Sequence, residues 1–133
     1  MKRSVSREKA LQAIFQMDLS DIAPDEAITN VLEEGEKPDG FLSSIVFGTK
    51  EHQEEIDSTL KSHLEKWSLD RLGTVDRTIL RMTVFEMMFV EEIPVNVSMN
   101  EAIELAKTFG DDKSSGFINA VLSKVKTTIE NNA

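Results

Sequence analysis

A chain of 133 residues with 40% hydrophobic and 29% charged side chains has room for one globular domain, or for two very small units sharing a core. It contains no cysteine, which excludes disulfides and thiolate metal sites and suits a cytoplasmic protein. No apolar run is long enough to cross a membrane, Met1–Ser6 lacks the apolar core of a secretory signal, and a net charge of −9 argues against nucleic acid as a partner of the chain as a whole.

The first predicted element is a helix over 5–19, with Val5, Ala10, Leu11, Ile14, Phe15 and Leu19 mostly at three- and four-residue steps. Its leading segment is basic. Lys2, Arg3, Arg7 and Lys9 against Glu8 give residues 1–9 a charge of +3, which leaves −12 for the rest. Screening over roughly 8 Å at physiological salt lets such an end act beside a remote acidic face. The stretch 18–36 is that face, with seven acidic residues and no lysine or arginine, and it reads as a solvated surface. Within it Pro24 opens a second helix carrying Ala27, Ile28, Val31 and Leu32, and Gly35 ends it.

Pro38 opens a third region. Phe41, Leu42, Ile45, Val46, Ile56, Leu60, Leu64 and Trp67 form one long apolar stripe, and Gly48 inside it is either a close-packing point or a break. Ser68–Leu72 reads as a short helical turn closed by Gly73. Thr74 caps a helix from Val75 to about Val90 that is apolar nearly all round, the pattern of a central buried helix. Met82, Met87 and Met88 are adaptable filler within it. Ile93-Pro94 stops that helix, and Ile93, Val95, Val97 and Met99 read as an extended linker. Ser98 and Glu101 form a capping box, so the next helix starts there with Ala102, Ile103, Leu105 and Ala106 facing inward. Gly110 closes it in the left-handed conformation. A last helix carries Phe117, Ile118, Val121, Leu122, Val125 and Ile129, and the tail Glu130–Ala133 is frayed. No turn dipeptide joins two alternating runs, so no hairpin is expected and the fold class is all-α.

The insert Gly110–Gly116, GDDKSSG, is the candidate for chemistry. It is no phosphate loop of the Walker type, because Lys113 precedes the second glycine and no strand precedes the insert. It is no calcium loop, because adjacent Asp111 and Asp112 diverge and no glutamate closes the set. A corner between helices, with Asp112 or Ser114 as the cap, explains all but Lys113. Free N–H groups at a helix start beside a cation can hold an RNA phosphate, and an exposed Phe117 could stack on a base. At helical spacing, though, a phenylalanine is more often core.

The stretches DRTILRMTVFEM (76–87), Ile93-Pro94, NEAIELAKTFG (100–110) and FINAVL (117–122) resemble the bacterial transcription antitermination factor NusB family. REKALQAIFQMD (7–18) and WSLDRL (67–72) are similar to that family too, so the resemblance spans nearly the whole chain. It implies two small helical bundles packed together, about 1–72 and about 73–133, with about seven helices. It implies binding of boxA-type single-stranded RNA, pairing with the NusE ribosomal protein, and entry into an RNA polymerase antitermination complex, with no cofactor, no metal and no catalysis.

Carried over, the resemblance assigns Lys2, Arg3 and Arg7 to RNA phosphates, and Lys113, Ser114, Phe117 and Asn119 to further RNA contacts. Phe15 and Asp76 fall at the partner surface. Ser4 and Val5 thin the family's arginine cluster, and Gly116 stands where a basic residue often precedes the corner phenylalanine. Weaker RNA binding alone and greater dependence on the partner follow. The acidic balance and the diluted arginines also support a second reading, a protein-interaction module with little RNA binding. The chain leaves room for a homodimer that would hide the RNA surface. Enzyme chemistry has no support, since neither His52 nor His63 sits in a metal-binding pattern and no nucleophile is paired with a base.

Overall fold

The computed structural model describes residues 1–132. Among the described residues the fold has seven α-helices: α1 (Arg3–Ser20), α2 (Pro24–Val31), α3 (Gly40–Glu51), α4 (Gln53–Lys61), α5 (Thr74–Phe89), α6 (Val95–Phe109) and α7 (Ser114–Asn131). One 3₁₀ turn, Leu69–Arg71, leads into α5. There is no strand among the described residues. α7 continues through Glu130 and Asn131, where fraying was expected, and the end of that expectation, Ala133, lies outside the described residues.

Local chemistry starts and stops these elements. Pro24 sits in the first turn of α2, where its missing N–H costs nothing. Asp39 caps α3, its carboxylate accepting the Leu42 N–H at 2.7 Å. The long stripe breaks at His52, which ends α3 and begins α4. Gly48 is therefore the close-packing point: a Cβ there would run into the Phe85 ring of α5. Trp67 falls outside the stripe altogether and is 59% exposed.

α5 is the centre, packing against α1, α3, α4, α6 and α7. Every residue from Thr78 to Met87 is buried, as its all-round apolar pattern predicts. Two charged residues lie within that run. Arg81 forks onto Asp57 of α4 at 2.8 and 2.9 Å, and Asp18 of α1 approaches it at 3.8 Å. Glu86 meets Arg7 of α1.

The start of α6 departs from expectation. It begins at Val95, directly after Pro94, and not at Ser98. The β-branched alternation of the linker is overridden by packing, a common outcome for a weak local preference. Ser98 caps nothing: its buried hydroxyl donates to Glu86 at 3.0 Å. Gly110 is extended rather than left-handed, with φ −92° and ψ −170°. Space explains the glycine, since a Cβ would lie 2.5 Å from Ser114 Oγ and 2.8 Å from the Ala106 carbonyl oxygen.

Candidate nucleic-acid interface

The two basic segments singled out in the sequence occupy different ends of α5. At one end the first turns of α1 are pinned. The Ser6 hydroxyl donates to Asp39 at 2.9 Å. Arg7 donates to Glu86 through Nε at 2.9 Å and Nη2 at 2.7 Å, and Glu101 lies 3.8 Å from its Nη1. Arg7 is 3% exposed and Glu86 2%. Arg7 is thus a core ion pair and not a phosphate contact, a correction to the sequence reading. An apolar-spaced helix position buries even an arginine when a carboxylate waits for it. Lys2 and Arg3 do face solvent. The Arg3 guanidinium lies over the Phe41 ring, 4.8 Å from its centroid, and Arg7 lies 5.0 Å from the same centroid.

The other end is the corner between α6 and α7. Asp111 organises it: one of its carboxylate oxygens accepts the Lys113 N–H at 2.8 Å and the Ser114 hydroxyl at 3.2 Å. The Asp111 N–H in turn donates to Ser114 Oγ at 3.0 Å. α7 takes no side-chain cap, neither from Asp112 nor from Ser114; Asp111 instead closes the turn ahead of it. Ser114 is 2% exposed with its hydroxyl consumed inside the corner, so it cannot reach a ligand. Lys113 and Asn119 are exposed and Phe117 is half-buried.

Beside this corner runs an open groove of about 280 Å³, lined by Trp67, Arg71, Asp76, Lys113 and Phe117 among others. Trp67 meets Phe117 edge to face, with centroids 6.1 Å apart and ring planes at 72°. A second hollow shares those two aromatic walls and is bordered by Lys66 and Lys124. Four cations thus border one aromatic pair, together with the carboxylates of Glu65, Asp76 and Asp111, and Lys124 is paired with Glu65 at 3.0 Å. Sequence reasoning missed Trp67, Arg71, Lys66 and Lys124. The available signal was a lone tryptophan between Lys66 and Arg71, which the apolar stripe absorbed.

The two residues expected at the partner surface lie next door. Phe15 lines a cleft with Leu11, Val75 and Phe109, and Phe109 is exposed. Asp76 is half-buried and borders both the corner groove and the hollow that joins it to Phe109. Apolar cleft, Asp76 and aromatic groove thus follow one another along the N-terminal end of α5. Arg7 contacts α5 at Glu86, ten residues beyond Asp76, which is about 15 Å of helix. The arm and the corner do not share one groove.

Fold and surface together define a small all-α protein whose candidate functional face is an open, charged aromatic groove beside an apolar cleft. The NusB family model matches residues 4–127, and the chain belongs to the NusB family. It is 58% identical to the transcription antitermination protein NusB of Bacillus subtilis strain 168 over 130 residues, covering 98% of each chain. Among solved structures it resembles NusB of T. maritima, with a TM-score of 0.85 at 32% identity over 96% of this chain and 92% of that one. It matches equally well a chain in a crystal structure of the antitermination factors NusB and NusE in complex with dsRNA, with a TM-score of 0.85 at 32% identity, covering 95% and 96%.

Proposed function

We propose that this chain is an antitermination factor that binds boxA-type single-stranded RNA together with the NusE ribosomal protein, and that the pair acts within an RNA polymerase antitermination complex on ribosomal RNA operons. The observation that carries the reading is the corner groove, where exposed Trp67 stands against Phe117 between Arg71 and Lys113. Bases of single-stranded RNA are open to such stacking, at about 1–3 kcal/mol per base, while the cations take the backbone. A solved assembly of related NusB with NusE and dsRNA supports NusE and RNA as the partners; that the RNA is single-stranded rests on the exposed aromatic pair.

Within this reading the RNA contacts are Lys2 and Arg3 at one end and Arg71, Lys113, Phe117 and Asn119 with Trp67 at the other. Ten residues of α5, about 15 Å of helix, lie between Asp76 and Glu86, so both ends would be used only by a strand running along the surface between them. Phe15, Val75, Phe109 and Asp76 take the NusE partner, whose surface would then border the RNA. A homodimer closing over the same cleft would compete with that partner.

Trp67 is the only tryptophan, so its fluorescence reports directly on the groove. A boxA-type RNA should quench it more strongly than a scrambled RNA, and more so with NusE present. Three or four phosphate contacts should weaken binding roughly 20–50-fold between about 50 and 200 mM salt. Equal binding of the two RNAs, with and without NusE, would leave only the interaction-module reading.

A further inference from the structure

Arg3 begins a helix at the edge of the molecule, where a long cationic side chain ordinarily moves freely in water. Here its surroundings are built. The first turn of α1 is tied to the cap of α3 through Ser6 and Asp39, and that same Asp39 receives the Leu42 N–H. One residue further on, Arg7 is locked into Glu86, itself held by Ser98. Between these two ties sits the half-buried Phe41 ring, with the Arg7 guanidinium 5.0 Å and the Arg3 guanidinium 4.8 Å from its centroid.

We propose that Phe41, fixed beside the buried Arg7–Glu86 pair, is a positioning residue that holds the Arg3 guanidinium in place for a phosphate of the bound RNA strand. This rests on the RNA-binding reading above. A cation stacked on an aromatic face keeps its outward N–H groups free, so the ring restrains the side chain without consuming the donors a phosphate needs. Restraining it beforehand lowers the ordering cost of binding. The buried arginine, useless as a phosphate contact itself, thereby serves the exposed one: its bond to Glu86 sets where α1 lies against the ring.

A double-mutant cycle on boxA-type RNA binding, with NusE present, tests this. Arg3→Ala should lower affinity and reduce the log–log salt slope by about 0.7, the loss of one single-strand phosphate contact. Phe41→Leu should lower affinity roughly two- to fivefold, the effect of an exposed cation–π contact, with the slope unchanged because the charge remains. The two losses should not add: in the Phe41→Leu background, Arg3→Ala should cost two- to fivefold less. Phe41→Tyr keeps both the ring and its packing and should bind as the wild type; the non-additivity with Arg3→Ala is what a general packing defect would not predict. Additive losses, or a Phe41→Tyr chain as weak as Phe41→Leu, overturn the proposal while the RNA reading stands. A wild-type chain that does not prefer boxA-type RNA overturns both.

Discussion

The two ends of α5 solve opposite problems with similar residues. At the arm end an arginine and a glutamate are taken out of water, hydrogen-bonded on several sides and committed to the scaffold. At the corner end the cations stay in solvent, and an aromatic pair that packing could have buried stands open beside them. Sequence distance from a basic cluster is therefore a poor guide to function in this fold. Arg7 lies in the densest basic segment and is buried against Glu86, whereas Arg71 lies in a short turn outside that segment and faces the groove. Under the proposed RNA-binding reading, the fixed end supplies geometry and the open end supplies contact surface.

The largest effect expected from breaking this contrast comes from the fixed end. Glu86→Ala leaves Arg7 buried without its partner, and loss of one member of a buried pair costs about 3–5 kcal/mol. Urea unfolding should show it as a lower midpoint. Arg7→Ala should act alike, and the double variant should be less destabilised than the sum, because the charges are lost together.

At the corner, Gly110→Ala should cost about 1–3 kcal/mol, since the new methyl meets the Ala106 backbone oxygen and no side-chain rotation relieves it. It should also weaken RNA binding, because Asp111 and Lys113 would shift together. Trp67→Ala separates contact from scaffold: it should leave unfolding within about 0.5 kcal/mol, as an exposed position does. Its RNA affinity should nevertheless fall by about 1–3 kcal/mol. Equal losses in stability and binding would make Trp67 part of the scaffold and erase the contrast between the ends.

Much of the fold was legible because period is a strong signal where a helix is long. The all-round apolar run of 75–90 gave the central helix, and Gly73, Pro24 and Ile93-Pro94 marked real ends. What stayed hidden depended on partners distant in sequence. Ser98 with Glu101 has the letters of a capping box, yet Ser98 is claimed by Glu86 and α6 starts at Pro94's heels. Gly110 looked like a left-handed cap and is instead a spacer for Ser114. Of the RNA-side candidates, Lys2, Arg3, Lys113 and Asn119 face solvent and Phe117 is half-exposed, while Arg7 and Ser114 are buried. Nothing in a run of letters separates an arginine at a helix edge from one turned inward by a glutamate 79 positions away. Trp67 was lost for the converse reason: its spacing continued a stripe that the chain had already left.

The smallest expected effect returns to the fixed end and concerns pH. Lys9 of α1 donates to Glu36 at 2.5 Å, tying α1 to the turn before α3. That hydrogen bond, followed by the one from the Glu33 N–H, holds the Glu36 carboxyl below its ordinary value of 4.5. A carboxyl whose pKa is lower folded than unfolded contributes stability that is complete above the unfolded value and lost as pH falls through the folded one. Glu36→Gln removes that contribution at neutral pH and has nothing left to remove in acid, where the wild-type side chain is itself uncharged. The difference in urea midpoint between the two chains should accordingly shrink to zero as pH drops well below 4.5. Because the pair lies at the surface, the difference should be small even at neutral pH and should fade with added salt, whereas the Arg7–Glu86 pair, sealed from ions, should lose little. A Glu36→Gln difference that persisted in acid, or resisted salt as the buried pair does, would place this tie inside the rigid scaffold and move the boundary of the fixed end outward to residue 36.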